Sequence, residues 1–324
     1  MCLICLLAPE YVLYIAMNEL LAAYDTKQSL QLLSTDPSLA HAFFVRMGGF
    51  CLQSPTRRHQ LRMVDIGDAT QDGKFSHTNE WIEVLRRTDK SQLDDLAKSD
   101  SITKVFACIQ GLWVLSQAIT RIYQHQALSL LEVTTAAYIV CAVAIYGCWW
   151  SKPQNCSVPL MIPCSDEAIA ELSGSAYEDR IDTWHEYHWA GQGMFAGKRL
   201  KIITTASTYR LYVGACSFAL TAFGAIHVAS WHETLPSTVE LWMWRASSLY
   251  CLVYASVFAF SVILSATDKL GERVEDIVGW CLNVGLPIYI IVRIYMLVEV
   301  FIALRALPAS AFRSTQWPSF VPHI

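Results

Sequence analysis

The chain has 324 residues, of which 54% are hydrophobic and 16% are charged, and its mean hydropathy is +0.33. Soluble globular domains carry roughly 25% charged residues, so this composition argues against a soluble enzyme and favours an integral membrane protein. The formal net charge of −4 lacks the basic excess that nucleic-acid binding needs, which argues against nucleic acid as a partner. The expected partner is the lipid bilayer.

The first apolar run lies at residues 1–19 and contains Pro9 and Glu10. A helical span needs about 20 mainly apolar residues, because the hydrocarbon core is about 30 Å thick. We interpret this run as a first span near the lower length limit. A polar region follows at 20–103, and its apolar segment 40–52 is too short to cross a membrane and is typical of an interfacial or re-entrant segment.

Five longer apolar runs in the rest of the chain meet the length requirement. Two of them occupy residues 104–150, a second polar loop follows at 151–207, three more occupy 208–304, and a C-terminal tail covers 305–324. The expected fold is therefore all-α, a polytopic membrane helix bundle with about six transmembrane helices and two polar loop regions. The five runs are 104–123, 127–150, 208–231, 241–265 and 277–304.

Lysine and arginine are concentrated in the connections on one side of these expected spans. The positive-inside rule places those connections in the cytosol and both termini on the other side of the membrane. We expect the protein in the endoplasmic reticulum or another endomembrane.

The sequence lacks the motifs that commonly bind nucleotides or metals. It has no phosphate-binding glycine loop, no dinucleotide fingerprint and no nucleophile elbow. His185 and His188 do not have the spacing that places two imidazoles one helical turn apart. We expect no cofactor and no metal.

Ionisable residues inside apolar spans are costly unless they are paired or hydrated, so they mark candidate functional positions. Five ionisable residues lie inside the expected spans of this chain. Tracing the direction of each span places all five in the same half of the bilayer. We expect Glu132 to pair with Arg293 across two helices. The alternative is that the charges only stabilise helix packing or extend to the membrane surface, as we expect for Arg245. The residues are Glu132, His227, Arg245, Arg293 and Glu299.

Two further polar positions within the spans have structural interpretations. His227 is as readily a hydrogen-bonded core histidine as a proton carrier. Asn283 and Pro287 together predict a kink, because proline frees a backbone carbonyl that a polar neighbour can satisfy.

Five segments of the chain form a recognisable pattern: HAFFVRMGGF (41–50), LSLLEVT (128–134), WWSKP (149–153), VRIYMLVEVFIALRALP (292–308) and VPHI (321–324). In these segments the chain resembles a large and mostly uncharacterised family of fungal polytopic integral membrane proteins. The resemblance runs over nearly the whole chain and includes Glu132, Arg293 and Glu299. It implies the same membrane helix bundle.

Some fungal membrane proteins of this general type are terpene cyclases of secondary-metabolite pathways, and they protonate an epoxide or olefin of a prenylated substrate. Such chemistry needs an acid that keeps its proton in a low-dielectric site, and aromatic faces that stabilise a carbocation. The chain offers candidates for both: Glu132 or Glu299 as the acid, and aromatic walls from Trp113, Trp242, Trp244, Tyr250, Tyr289 and Tyr295.

Our leading hypothesis is a membrane-embedded cyclase, with Glu132, Glu299, Arg293 and His227 as the catalytic candidates and a lipophilic small molecule as substrate. In this hypothesis Arg293 keeps one carboxylate ionised while the other carries the proton. The alternatives are a membrane transporter and a noncatalytic scaffold that associates with other membrane enzymes of a biosynthetic pathway.

Overall fold

The computed structural model describes residues 2–32, 37–56, 58–61, 90–153, 159–173, 206–233, 235–267 and 272–312. The elements are mostly helices, with one small sheet. In chain order they are α1 (Cys2–Leu7), α2 (Pro9–Leu32), α3 (Leu39–Arg46), β1 (Phe50–Gln53), β2 (Arg58–Gln60), α4 (Lys90–Tyr123), α5 (Leu130–Cys148), β3 (Leu160–Pro163), α6 (Asp166–Ser173), α7 (Ala206–Ala229), α8 (Thr238–Thr267) and α9 (Glu272–Ile302). Short 3₁₀ helices lie at Ser230–His232, Ala303–Ala306 and Ala309–Phe312.

The chain divides into two compact units. The first comprises Met1–Met17, Lys104–Cys148 and Ala206–Ile324. The second comprises Asn18–Thr103 and Trp149–Thr205, so it is built from the two polar regions of the sequence.

The first unit is a helix bundle. Helix α7 packs against both α5 and α8, α8 packs against α9, and α9 contacts α5, so these four helices close a ring. Helix α1 also contacts α9. The ring brings residues from distant parts of the sequence to one interior.

Within the described residues, three segments are long and apolar enough to cross a membrane: Ile102–Tyr123, Leu130–Cys148 and Gly279–Ala306. They are consistent with the expected integral membrane protein. Helices α7 and α8 form where two further spans were expected, but neither is among the segments that meet this length and apolarity. Six spans therefore remain a prediction.

The expected span at 1–19 has different bounds in the structure. Its helix is interrupted at Ala8, and α2 begins at Pro9 and continues to Leu32. Proline suits the first position of a helix, because its missing N–H would have no partner there in any case.

The second unit contains structure that the expected all-α class did not include. Strand β1 lies at the centre of a three-stranded sheet, antiparallel to β2 and parallel to β3. Its parallel partner comes from the second polar region, with Phe50 opposite Leu160. The fold is therefore mostly helical with a small sheet, and the two polar regions pair through strands.

The segment 40–52, expected to be interfacial or re-entrant, contains a short helix and a strand that pack inside the protein. Residues 40–45 of α3 are buried, and the rings of Phe44 and Phe50 pack edge to face with their centroids 4.9 Å apart. Helix α3 ends at Arg46, and the chain turns away at Gly48, whose φ of 72° is the left-handed conformation that glycine adopts without strain. The segment is apolar because it forms a protein core.

Gly224 allows the close approach of α7 to α8. A Cβ atom at this position would lie 2.6 Å from the Cα atom of Leu252, so the contact is with backbone that cannot rotate away. In contrast, a Cβ atom at Gly214 of the same helix would have no heavy atom within 4 Å.

We expect Gly224→Ala to lower the thermal unfolding midpoint of the detergent-solubilised protein, because overpacking of a tight contact costs about 1–3 kcal/mol. The matched control, Gly214→Ala, should leave the midpoint unchanged or raise it. If both substitutions lowered the midpoint equally, the α7–α8 contact at Gly224 would be no tighter than the surroundings of Gly214.

Candidate functional site

The helix break between α1 and α2 leaves two carbonyl groups without helical partners. The amide of Ala8 still donates to Ile4, but the amide of Tyr11 donates to Ala8 at 3.1 Å and not to Leu7. Two side chains from distant helices bond these carbonyls instead. The Tyr138 hydroxyl donates to the carbonyl of Leu6, and Nε of Arg293 donates to that of Leu7 at 2.9 Å.

Arg293 is the centre of the site. It is only 3% exposed, and its Nη2 donates to the hydroxyl of Tyr138 at 2.8 Å. The guanidinium carbon lies 4.6 Å from the centre of the Phe223 ring. Arg293 therefore connects α1, α5 and α7 to its own helix α9.

Glu10 is a buried carboxyl group near this guanidinium. It is 7% exposed, and the charge of Arg293 acts on it electrostatically. One carboxyl oxygen, Oε2, has no hydrogen-bond partner among the described residues. Glu10 thus brings to the site a carboxyl oxygen that no described group bonds.

His227 also contacts the Phe223 ring. It is 1% exposed, its Nδ1 is 2.8 Å from the carbonyl of Phe223, and its ring centre is 4.8 Å from that of Phe223. A carbonyl only accepts hydrogen bonds, so Nδ1 carries the proton, and Nε2 of the neutral ring is the acceptor. Nε2 has no partner within the described part of the chain.

Trp244 closes the site beside His227. Its indole is fully buried, and Nε1 donates to the hydroxyl of Ser230 at 2.9 Å. The Ser230 hydroxyl in turn donates to the carbonyl of His227 at 2.6 Å. This chain of hydrogen bonds holds the ring of Trp244 6.2 Å from that of His227.

The expected pairing of Glu132 with Arg293 was wrong. Glu132 is in the first turn of α5, where it forms a capping box: its carboxylate accepts from the amide of Ser129 at 2.8 Å, and its own amide donates to the Ser129 hydroxyl at 3.2 Å. The other carboxylate oxygen pairs with Arg121 at the end of α4.

Glu132 therefore belongs to a charged cluster at the end of the bundle. Arg121 also donates to the carbonyl of Ala311. Burial raises the pKa of Glu233, in the connection between α7 and α8, and the negative charge of Glu132 raises it further. This cluster stabilises helix ends.

Glu299 is buried in another cluster. It is 3% exposed, and its Oε1 has no partner among the described residues. The charges that act on it belong to Glu240 and Arg305, which form an ion pair. The structure does not bring Glu299 to Arg293.

Arg245 packs between tryptophan rings. Its Nε and Nη2 donate to the carbonyl of Trp231 at 3.1 and 2.9 Å, and its guanidinium lies over the rings of Trp231 and Trp242. These contacts agree with the packing interpretation of this residue.

Tyrosines of α8 bond the carbonyls near Pro287. The hydroxyl of Tyr250 donates to Gly285 at 2.9 Å, and that of Tyr254 donates to Leu282 at 3.2 Å. Neither carbonyl is the one that Pro287 leaves without its helical donor, which is that of Asn283, four residues earlier.

Two residues of the site, Glu10 and Tyr138, were absent from the sequence-based candidates. The available signal for Glu10 was the Pro-Glu dipeptide within an apolar run. Proline leaves backbone carbonyls without donors, and a carboxyl group in an apolar run needs a partner that compensates its burial. Tyr138 carried no signal, since a tyrosine in a span is ordinary. His185 and His188 lie outside the described residues.

The fold and the site define a mostly helical protein whose described part has three segments able to cross a membrane and a buried charged site in its bundle. The chain belongs to the family of unknown function DUF8562, whose model matches residues 14–176 and 212–324. No curated protein and no solved structure matches the chain.

We expect Arg293→Met to lower the stability of the protein by about 3 kcal/mol or more, because it leaves the buried Glu10 without a cation and the Leu7 carbonyl without a donor. The thermal unfolding midpoint in detergent measures this loss. Adding Glu10→Gln should recover part of it, since an amide does not need a counter-charge.

The control for this prediction is Arg305→Met, which removes a guanidinium whose side chain is 59% exposed. Exposed ion pairs contribute about 1 kcal/mol or less, so this variant should unfold close to the native midpoint. Additive effects of Arg293→Met and Glu10→Gln would contradict the coupling of the two residues.

Proposed function

We propose that this protein is a membrane-embedded enzyme that protonates a lipophilic substrate, and that the reaction is the acid-initiated cyclisation of a prenylated or epoxidised molecule in secondary metabolism. The observation that carries this proposal is the buried carboxyl group of Glu10. Its Oε2 atom has no protein partner within the described residues and lies in the field of Arg293.

In this proposal Glu10 takes the role of the acid that we had assigned to Glu132 or Glu299. Glu132 is occupied by Arg121 and Ser129, and so has little freedom to donate a proton. Glu299 also has a carboxyl oxygen without a partner among the described residues, but it does not contact the aromatic residues of the Arg293 site. Glu10 combines the free oxygen with a nearby cation.

In the free protein Glu10 is the counter-charge of Arg293. The proposed reaction begins after the bound apolar substrate has excluded water and Glu10 has taken up a proton, which its carboxyl group then donates to the epoxide oxygen of the substrate. The carbon–oxygen bond breaks with its electron pair on oxygen, which becomes a hydroxyl group, and a carbocation forms at the more substituted carbon. An olefin of the same molecule attacks this carbon and closes the ring. Arg293 then compensates the negative charge that remains on Glu10.

His227 completes the proposed cycle as the base. Its Nε2 atom has a lone pair and no partner among the described residues, so it can remove a proton from the carbon next to the final cation. The product is an isomer of the substrate with a new olefin. Return of this proton to Glu10 restores the enzyme.

Aromatic faces near the site favour a cationic intermediate. The charge of Glu10 acts on Tyr254, whose ring stacks on that of Tyr289 at 4.8 Å, and Trp244 packs in the same apolar cluster as Tyr289. Aromatic rings attract cations through their negative faces, by about 0.5–2 kcal/mol for each ring. After the proton transfer, the negative charge of Glu10 and the positive charge of Arg293 cancel, so Arg293 does not repel the carbocation.

The membrane arrangement that we propose with this function has six spans and both termini outside the cytosol, in an endomembrane. The three apolar segments support the membrane location. A glycosylation acceptor site added at either terminus should be modified in microsomal membranes, and modification only of a site in the polar regions would contradict this orientation.

The test of the function is conversion of prenylated and epoxidised candidate substrates by microsomal membranes that contain the protein. We expect Glu10→Gln to reduce product formation about a hundredfold or more, because general acid catalysis contributes about 10²–10⁴. Glu299→Gln, a matched change at a buried carboxyl group of another cluster, should retain most of the activity.

Product formation at the native rate by the Glu10→Gln protein would overturn this role. Loss of activity in Glu299→Gln with full activity in Glu10→Gln would show that Glu299 of α9, and not Glu10, is the acid.

A further inference from the structure

Helix α4 is the most exposed of the three segments that can cross a membrane. Most of its large apolar side chains face away from the protein, with Phe106 62% and Trp113 54% exposed. Its protein-facing side is narrow: a Cβ atom at Gly111 would lie 2.9 Å from a methyl carbon of Ile139 in α5. Residues on the other faces of this segment are mostly exposed or partly exposed.

Two glutamines interrupt this apolar surface. Gln110 is exposed and lies within about 5 Å of the middle of Ile102–Tyr123, taking the rise of about 1.5 Å per residue. Gln117 is partly exposed and follows seven residues later. Seven residues make nearly two turns, so both amides lie on one stripe of the helix, about 20° apart.

Neither amide has a hydrogen bond within the part of the chain that the structure describes. In water this would be ordinary. In the hydrocarbon core an amide without a partner costs several kcal/mol, because the lipid offers no hydrogen bonds. A glutamine near the middle of an exposed span therefore indicates a partner helix with a polar group at the same depth.

We propose that the Gln110–Gln117 stripe of α4 pairs with the same stripe of a second copy of this chain. Two copies inserted in one orientation can pair α4 only in parallel, so the residue opposite Gln110 is Gln110 of the other copy. A side-chain amide both donates and accepts, which makes this pairing self-complementary across a two-fold axis.

The side chains beside the stripe fit a helix–helix seam. Phe106 and Trp113 lie about 40° and 60° from Gln110 on the helix, at the three- and four-residue spacing of a left-handed helix pair. They would cover the amides and exclude lipid from them. The stripe thus supplies both the hydrogen bonds and the packing of the interface.

This inference rests on α4 crossing the membrane, as proposed above, and it does not depend on the chemistry of Glu10. A Glu10→Gln protein that fails to convert substrate should pair as the native protein does. The two proposals therefore fail separately.

Cysteine crosslinking of the full chain in microsomal membranes tests the pairing. With copper phenanthroline as the oxidant, Gln110→Cys should form a disulfide-linked product of twice 36.4 kDa on a nonreducing gel. Leu112→Cys is the matched control, because Leu112 is 54% exposed but lies about 160° from the stripe, and it should crosslink no more than the native cysteines do.

A second measurement uses energy transfer between two fluorescently tagged copies in the same membranes. The Gln110→Leu, Gln117→Leu double variant should weaken the pairing roughly tenfold, and Gln110→Asn should retain more of it, since interhelical amide bonds stabilise membrane helix pairs modestly. Absence of the crosslink, an equal crosslink at Leu112, a product of another mass, or pairing unchanged by the double variant would overturn the proposal.

Discussion

The guanidinium of Arg293 is buried among helices that are far apart in the sequence, and the bundle around it is organised to satisfy its donors. Burying an ion in a low-dielectric interior costs several kcal/mol unless hydrogen bonds and counter-charges compensate it. Here the compensation comes from the Leu7 carbonyl, the Tyr138 hydroxyl, the Phe223 ring and the nearby Glu10. Pro9 is part of this arrangement, because α2 begins at Pro9 and the break before it leaves the Leu7 carbonyl without a helical donor.

The same constraint explains which charged residues are near Arg293 and which are not. Glu132, Glu240 and Arg305 lie at helix ends, where they pair with nearby ions or cap a helix. Such residues neutralise local backbone groups and need no deep partner. Glu10 is different, because one of its oxygens has no protein partner among the described residues and its nearest strong charge is on another helix.

Much of the helical framework could be predicted, because an apolar run of span length has few other solutions. The runs expected at 127–150 and 241–265 became Leu130–Cys148 and Thr238–Thr267. Burial of Arg293 also followed from its depth. The pairing of β1 with β3 could not be predicted, since short strands from separate polar regions carry no signal of their partner.

The partner of Arg293 was the main error at the site, and its cause is physical. Depth along a helix does not specify which face points inward, so Glu132 and Glu10 were equally available to Arg293 from the sequence. The Ser129-x-x-Glu132 spacing is a capping box, and it favoured a local role for Glu132 that we had not weighed. Glu10 lies in the apolar run at 1–19, and its sequence does not indicate which helix its carboxyl group faces.

Hydrogen exchange of the N-terminal segment tests the central claim, that Arg293 holds the α1–α2 break in the bundle, most directly. In Arg293→Met, amides of residues 2–17 should exchange about tenfold faster or more than in the native protein, because local opening becomes less costly. In Arg305→Met their exchange should stay at the native rate. Native-like protection of this segment in the Arg293→Met protein would contradict the account.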